Sequence, residues 1–376
     1  MLEKYGLTFI GNVILFIKME PVPKIREWMN AMNKRESSKV TIYDVAREAG
    51  VSKTSVSRYL GGRYDELSDK TRKKIELAIS QMEYRPNTMA RGLKSNKSYL
   101  IGIIVADINN PYTTAILRGA EDICSQNGYN LMICNSDNNP EKERGYFEML
   151  LSHRIDGLIL HTTGGNHDML IQLQEQKTPI ILLDRKVPDL ELDTVGLDNF
   201  QATSQAVHFL ADQNYERIAF FSEPASKIST RYERRQSFQQ TLLSRSHPSS
   251  NDVYEVNVDD LQDVEAKLQH FLEKSEGKSR AILTANSVVL LKLILLLQEQ
   301  KLSVPKDLAM MGFDNPEWST IVYSGISTIE QPTYQIGVAA MEMILRRIDG
   351  QVSPAQTIAY QAKLNIRETT PFIQKS

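Results

Sequence analysis

From Tyr99 to Ile348 the sequence alternates short apolar runs with longer amphipathic ones, and no other feature restricts the fold as much. Tyr99–Ala106, Asn130–Asn135, Gly157–His161 and Ile180–Asp184 are short and mostly apolar, the signature of strands buried on both faces. Helical patterns over Thr113–Gln126, Lys142–His153 and Asp168–Gln176 separate them. A second series follows, with strands at Arg217–Phe221, Asp252–Val256, Ala281–Thr284 and Leu308–Phe313. Its helices lie near Phe200–Gln213, Tyr232–Ser244, Asp260–Lys274, Ser287–Gln300 and Thr333–Ile348. The reading is an α/β body over 99–370, built of two doubly wound parallel-sheet subdomains with a cleft between them. Ligands of such sheets bind beyond the carboxyl ends of the strands.

Ahead of the body, residues 38–85 read as a separate all-α, helix-turn-helix head. In TIYDVAREAGVSKTSVSRYL, Thr41 can N-cap a first helix with Asp44 completing a capping box, and Gly50 supplies the left-handed stop. Ser52 caps a second helix whose Val56 and Leu60 face inward. Lys53, Thr54, Ser55, Ser57 and Arg58 face outward, a basic and hydrogen-bonding surface suited to a major groove. Ser68 caps a third helix, Asp69–Met82, with Ile75, Leu77, Ile79 and Met82 available for a core. Lys70, Arg72, Lys73 and Lys74 lie on its first turns, placed for phosphate.

Charge supports the division. The chain carries a net charge of -2, yet Lys39 to Lys97 holds thirteen Lys/Arg and seven Asp/Glu, a basic head on an acidic body. Such a division suggests a polyanion partner for the head only, and the groove-suited face of its second helix makes double-stranded DNA a candidate.

Residues 86–98 read as a hinge and linker. Asn87 can cap a helix too short to persist alone, and Leu93 is its exposed apolar residue, placed as a minor-groove wedge once DNA orders the segment. Residues 1–37 differ from the rest. Leu7–Ile17 is apolar but too short to span a membrane. Met29 and Met32 are alternative starts just upstream of the head, so these residues are read as an over-long start. Cytoplasmic location is expected, with Cys124 and Cys134 as small buried residues rather than a disulfide.

The body lacks a GxGxxG turn, a Walker A loop and a GxSxG elbow. Thr163-Gly164-Gly165-Asn166 reads as a turn, and the histidines show no metal spacing. Neither a cofactor, a metal nor catalysis is expected.

The head sequence, followed by SDKTRKKIELAISQMEYRPNTMARGL, resembles the lactose-repressor (LacI/GalR) family, and the resemblance continues to about Arg367. It implies a cytoplasmic homodimeric regulator, generally a repressor, that reads pseudo-palindromic operator DNA. It also implies a core like type I periplasmic sugar-binding proteins, whose small-molecule effector changes DNA affinity. By motif, Lys53, Thr54 and Arg58 match groove-reading positions, Ser52, Ser55 and Asn87 match positions near phosphate, and Thr41 lies with them at the DNA face. Leu93 matches the hinge leucine. In the cleft the resemblance implicates Asn110 and Tyr112 after the first strand, Arg234, Asn286, Asp314 and Gln331. Ser237 and Ser287 depart from the family's usual glycine and aspartate.

The RYDELS turn, the TTGGN loop and the RYERRQSF segment resemble the branch regulating 2-keto-3-deoxygluconate catabolism. Arg185, Lys227, Arg231, Arg234 and Arg235 supply cations from which two could converge on a sugar acid. Leu290 to Leu297 make a helix apolar all round, read as a dimer face, and the short tail after Thr370 argues against a tetramer. A solute-binding receptor and an α/β enzyme are the competing classes.

Overall fold

The computed structural model describes residues 7–10, 13–16, 40–84, 97–225 and 228–374. The chain divides into two compact units, residues 1–91 and 92–376.

In the first unit, the backbone of β1 (Leu7–Ile10) pairs antiparallel with β2 (Val13–Phe16), Leu7 opposite Phe16. The head is three helices, α1 (Ile42–Glu48), α2 (Lys53–Leu60) and α3 (Asp69–Gln81). Each start is capped by the side chain the sequence offers. Thr41 accepts from the Asp44 amide while Asp44 returns a bond to the Thr41 backbone; Ser52 caps α2 and Ser68 caps α3. Gly50, at φ 60°, turns the chain between α1 and α2. Val45, Ala46, Ala49, Val56, Ile75 and Ala78 form the core. Leu77 does not join it and is 59% exposed. Ile75, Ala78, Ile79 and Met82 make the inward stripe at helical spacing, and Leu77 falls off that stripe.

The second unit holds two six-stranded sheets. The first lobe comprises β3 (Leu100–Val105), α4 (Pro111–Gln126), β4 (Asn130–Asn135), α5 (Pro140–Ser152), β5 (Gly157–Leu160), α6 (His167–Glu175), β6 (Ile180–Leu183) and β7 (Asp193–Leu197). The second comprises α7 (Asn199–Asp212), β8 (Arg217–Ser222), α8 (Ser229–Ser244), β9 (Val253–Glu255), α9 (Leu261–Lys274), β10 (Arg280–Thr284), α10 (Ser287–Glu299), β11 (Ala309–Phe313) and β12 (Ser327–Glu330). The chain then returns to the first lobe with α11 (Thr333–Ile348) and β13 (Thr357–Tyr360), and ends its strands with β14 (Lys363–Asn365) in the second. Sheet orders are β4-β3-β5-β6-β7-β13 and β9-β8-β10-β11-β12-β14. All pairings are parallel except β12 with β14. Both faces of both sheets are covered by apolar cores, which explains the uninterrupted apolar runs.

The return of α11 corrects its sequence-based assignment to the second series. It packs on α4, and the contact is backbone on backbone. A Cβ on Gly337 would lie 2.1 Å from the Ile116 carbonyl oxygen, and one on Gly119 would lie 2.2 Å from that of Tyr334.

Most of α10 is core. Leu290, Leu293, Ile294, Leu296 and Leu297 are buried within their own lobe, so the helix is apolar because it is a core helix. Leu291 and Leu295, one turn apart, stay exposed. Cys124 on α4 and Cys134 on β4 are buried and unpaired. Among the described residues, no helix is long and apolar enough to cross a membrane.

Candidate functional site

Between the two lobes of the body lies a cavity of about 440 Å³. Most residues lining it sit just past the carboxyl end of a parallel strand. Asn110 and Tyr112 follow β3, Asn138 follows β4, His161 follows β5, and Asp184 and Arg185 follow β6. From the other lobe come Glu223 after β8, Arg231 and Arg234 on α8, Asn286 after β10, Asp314 after β11 and Gln331 after β12. The six cleft residues expected from the sequence, Asn110, Tyr112, Arg234, Asn286, Asp314 and Gln331, thus line one cavity.

The second lobe's side is hydrogen-bonded at most of its polar atoms, although Gln331 Oε1 is buried without a partner. Asp314 accepts at Oδ2 from the Ser287 amide (3.2 Å) and hydroxyl (3.1 Å), and at Oδ1 from Gln331 Nε2 (2.7 Å). Arg234 is sandwiched: its guanidinium carbon lies 3.8 Å from the Phe313 ring centroid, Nε donates to Asn199 Oδ1 (2.7 Å) and Nη1 to the Ala285 carbonyl (2.5 Å). Asn286 caps α10 by accepting from the Val289 amide, and its Nδ2 donates to Glu223 Oε2 (2.7 Å). Glu223 also receives Arg231 at 2.5 Å. The two departures from the family pattern have structural roles here. Ser287 holds Asp314, and Ser237 is buried and donates to the Phe200 carbonyl, tying α8 to α7.

The first lobe's side is different. The Tyr112 hydroxyl, both ring nitrogens of His161, Asp184 Oδ1 and Arg185 Nε are buried with no hydrogen-bond partner. His161 Nε2 stands 3.6 Å from Asp184 Oδ2. Arg185 donates through Nη1 to Asn138 Oδ1 (3.0 Å) and the Thr162 carbonyl (2.8 Å), both neutral acceptors. Burial, then the neighbouring Arg231, brings its guanidinium from 12.5 to about 10. Burial, then Arg185, also lowers His161 to about 4, so its ring is neutral at physiological pH. Burial raises the Asp184 carboxyl, but His161, Arg234 and Arg185 together outweigh it and leave it below the usual range.

Asp184 and Asp314 occupy corresponding places, each after the fourth strand of its sheet order. Both are left-handed, at φ 62° and 70°, and each amide bonds to the adjacent strand. Backbone strain of this kind concentrates at functional sites.

His161, Asp184, Asn138 and Glu223 were not among the expected cleft residues. Arg185 and Arg231 were expected as cations and do line the cavity, whereas Arg235 pairs with Glu255 on the surface. Lys227 lies outside the described residues. The Thr163–Asn166 loop is a turn folded on a buried carboxylate: Glu143 accepts from the Thr163 amide, the Thr163 hydroxyl and Asn166 Nδ2. Among the described residues, no His/Cys/Asp/Glu cluster could hold a metal.

On the head, Lys53 and Thr54 are exposed on α2, with Arg58 on its last turn. Lys53 Nζ donates to Tyr43 Oη (2.9 Å) and lies 4.3 Å from that ring's centroid. Arg58 Nε pairs with Glu66 at 2.9 Å. Thr41 and Ser52 act as caps, and the Ser55 hydroxyl meets that of Ser52 (3.0 Å). Asn87 and Leu93, the hinge residues, lie outside the described residues.

Residues 98–375 match the family of periplasmic binding proteins and sugar binding domain of the LacI family, and residues 41–87 match the bacterial regulatory proteins of the lacI family. The chain belongs to the LacI family. It is 42% identical to the HTH-type transcriptional regulator KdgR of Bacillus subtilis, over 90% of this chain and 100% of that one. It is 40% identical to the HTH-type transcriptional regulator PtxS of Pseudomonas putida, over 88% and 96% respectively. Among solved structures, the Lac repressor bound to ONPG matches with a TM-score of 0.76 at 24% identity, covering 89% of this chain and 100% of that one. LacI-family membership makes the chain a DNA-binding transcriptional regulator with an effector-binding cleft, in carbohydrate catabolism.

Proposed function

We propose that this LacI-family regulator is a cytoplasmic repressor. Its dimer holds a pseudo-palindromic operator and releases it when a sugar acid, 2-keto-3-deoxygluconate or a close relative, enters the cleft. One observation carries the choice of an acid over a neutral sugar. Arg185 is a buried cation bonded only to neutral acceptors, with Nε unpartnered, and it is electrostatically coupled to Arg231 of the opposite lobe. A carboxylate is the group that satisfies such a guanidinium. The two left-handed aspartates, Asp184 and Asp314, suit the hydroxyls of the same ligand, and Asn110, Tyr112, Asn286 and Gln331 complete the polar lining. The likeness to KdgR of Bacillus subtilis accords with the branch that the RYDELS, TTGGN and RYERRQSF segments resemble.

In the head, α2 enters the major groove with Lys53, Thr54 and Arg58 toward base edges, while Ser52, Ser55 and Asn87 approach phosphate with Thr41 beside them, and Leu93 wedges the operator centre. Two-fold operator symmetry calls for a dimer, and the exposed Leu291–Leu295 pair on α10 is the apolar part of that face.

The test is to sequence genomic fragments retained by the purified protein, with and without 2-keto-3-deoxygluconate, and to titrate the same sugar acid and a neutral hexose calorimetrically. The expected result is one pseudo-palindrome, released by the acid, with the hexose binding at least roughly tenfold more weakly for want of a charge-assisted bond. Tight binding of the hexose alone would remove the acid from the proposal. Absence of any enriched sequence would favour a solute-binding receptor.

A further inference from the structure

The RYDELS turn has no part in the function argued so far, yet it places an acid beside a base-reading arginine. Gly61 and Gly62 end α2, and a 3-10 turn over Tyr64–Glu66 follows. Three contacts fix this turn. The Arg63 amide donates to the Arg58 carbonyl (3.0 Å), the Tyr64 ring meets Tyr59 edge-on at 5.4 Å, and the Arg72 guanidinium lies 4.6 Å from the Tyr64 centroid. Leu67, next in sequence, packs against the head's core. The turn therefore has a set position against the last turn of α2, and Glu66 rides on it. Its Oε2 takes Arg58 Nε at 2.9 Å, and its Oε1 lies 3.5 Å from Arg63 Nη1.

The chosen atom matters. With Nε held, the Nη1–Nη2 edge of Arg58 is the pair of donors left for a partner. That edge presents two parallel N–H groups, the geometry that matches O6 and N7 of guanine. A carboxylate behind an arginine also restricts its rotamers, and it competes with phosphate for the cation.

We infer that Glu66 is a positioning residue for sequence recognition: it holds Arg58 end-on for a guanine and keeps it off the phosphate backbone. This rests on α2 being the groove-reading helix. The Arg58–Glu66 pair is about half exposed, so its removal should leave folding intact.

The experiment measures binding of the full-length dimer, by fluorescence anisotropy, to the selected operator and to a set with each half-site base pair changed singly. The proteins are the parent chain, Glu66→Gln, Arg58→Ala and the double variant, each at several salt concentrations. The parent should discriminate by roughly 5- to 150-fold at the base pair Arg58 reads. Glu66→Gln should lose most of that discrimination at this base pair only, while its salt dependence steepens by about one phosphate contact. In the Arg58→Ala background, Glu66→Gln should change nothing at that base pair. If Glu66→Gln instead tightens binding to every sequence equally, with discrimination intact, Glu66 is only a repelling charge and the inference is overturned. A parent chain with no sequence preference would overturn the reading of α2 itself.

Discussion

Replacing Arg185 with Gln should separate the stability of the body from its affinity for an acid. Arg185 is 7% exposed, and burial with the charge of Arg231 lowers its guanidinium from 12.5 to about 10. At about 1.4 kcal/mol per unit, carrying that charge costs the unliganded fold about 3 kcal/mol at neutral pH, where the unfolded chain carries it freely. Two hydrogen bonds, to Asn138 Oδ1 and to the Thr162 carbonyl, offset part of this cost, each worth about 1 kcal/mol. Glutamine can keep one of them. The unliganded variant should therefore be as stable as the parent or more so, by up to about 2 kcal/mol, a rise in Tm of several degrees at most. Affinity for the sugar acid moves the other way. Loss of a charge-assisted bond of about 1.5–3 kcal/mol weakens binding roughly 10- to 150-fold. Differential scanning fluorimetry without ligand and calorimetry with it read the two effects separately. A fall in unliganded Tm with unchanged affinity would refute the reasoning, because Arg185 would then be a structural residue.

Three further outcomes are expected. His161 is neutral in the fold at about 4 against 6.5 unfolded, with Asp184, Arg185, Arg231 and Tyr112 about it. The unfolded chain binds this proton first as pH falls, so stability is lost between about pH 6.5 and 4, and His161→Gln should flatten that part of a urea-melt pH profile; an unchanged profile would assign the loss to other groups. Gly337→Ala would put Cβ 2.1 Å from a backbone oxygen and should cost about 3 kcal/mol, whereas Gly145→Ala on α5, with open space around it, should be neutral or slightly stabilising; equal melting temperatures would refute the close α4–α11 contact. Leu291→Asp with Leu295→Asp should shift sedimentation toward the monomer, and a dimer unaffected by both charges would place the interface elsewhere.

The fold was legible where period and punctuation agreed. Asn130–Asn135 and Thr333–Ile348 have the bounds read from their patterns, and Thr41, Ser52 and Ser68 cap the helices they precede. β7, β12, β13 and β14 were not read. They are three to five residues long and mix polar with apolar residues. Their place comes from pairing across the sheet, which leaves little local trace. The lobe of α11 was equally hidden, because chain order alone does not say which sheet a helix covers.

The cavity was half legible, and the reason lies in its asymmetry. The expected residues are concentrated in the second lobe, where Asp314, Gln331, Asn286 and Arg234 already hold one another or the backbone. Of the unread residues, Asn138, His161 and Asp184 lie in the first and Glu223 in the second; His161, Asp184 and Glu223 are each the first residue after a strand. That position was the available signal: the residues just beyond parallel strands converge on a site whether or not they match a motif. The asymmetry also divides the work of recognition. A side chain already satisfied offers a ligand little that water would not. One buried without a partner, as Tyr112, His161, Asp184 and Arg185 in the first lobe and Gln331 alone among the second lobe's named cleft residues each are at one atom or more, favours whichever ligand completes it and rejects the analogue that cannot. On the proposed reading, the second lobe therefore supplies a preformed grip common to polyols. The choice of an acid over a neutral sugar resides in the first lobe, and substitutions there should change effector identity before they change the fold.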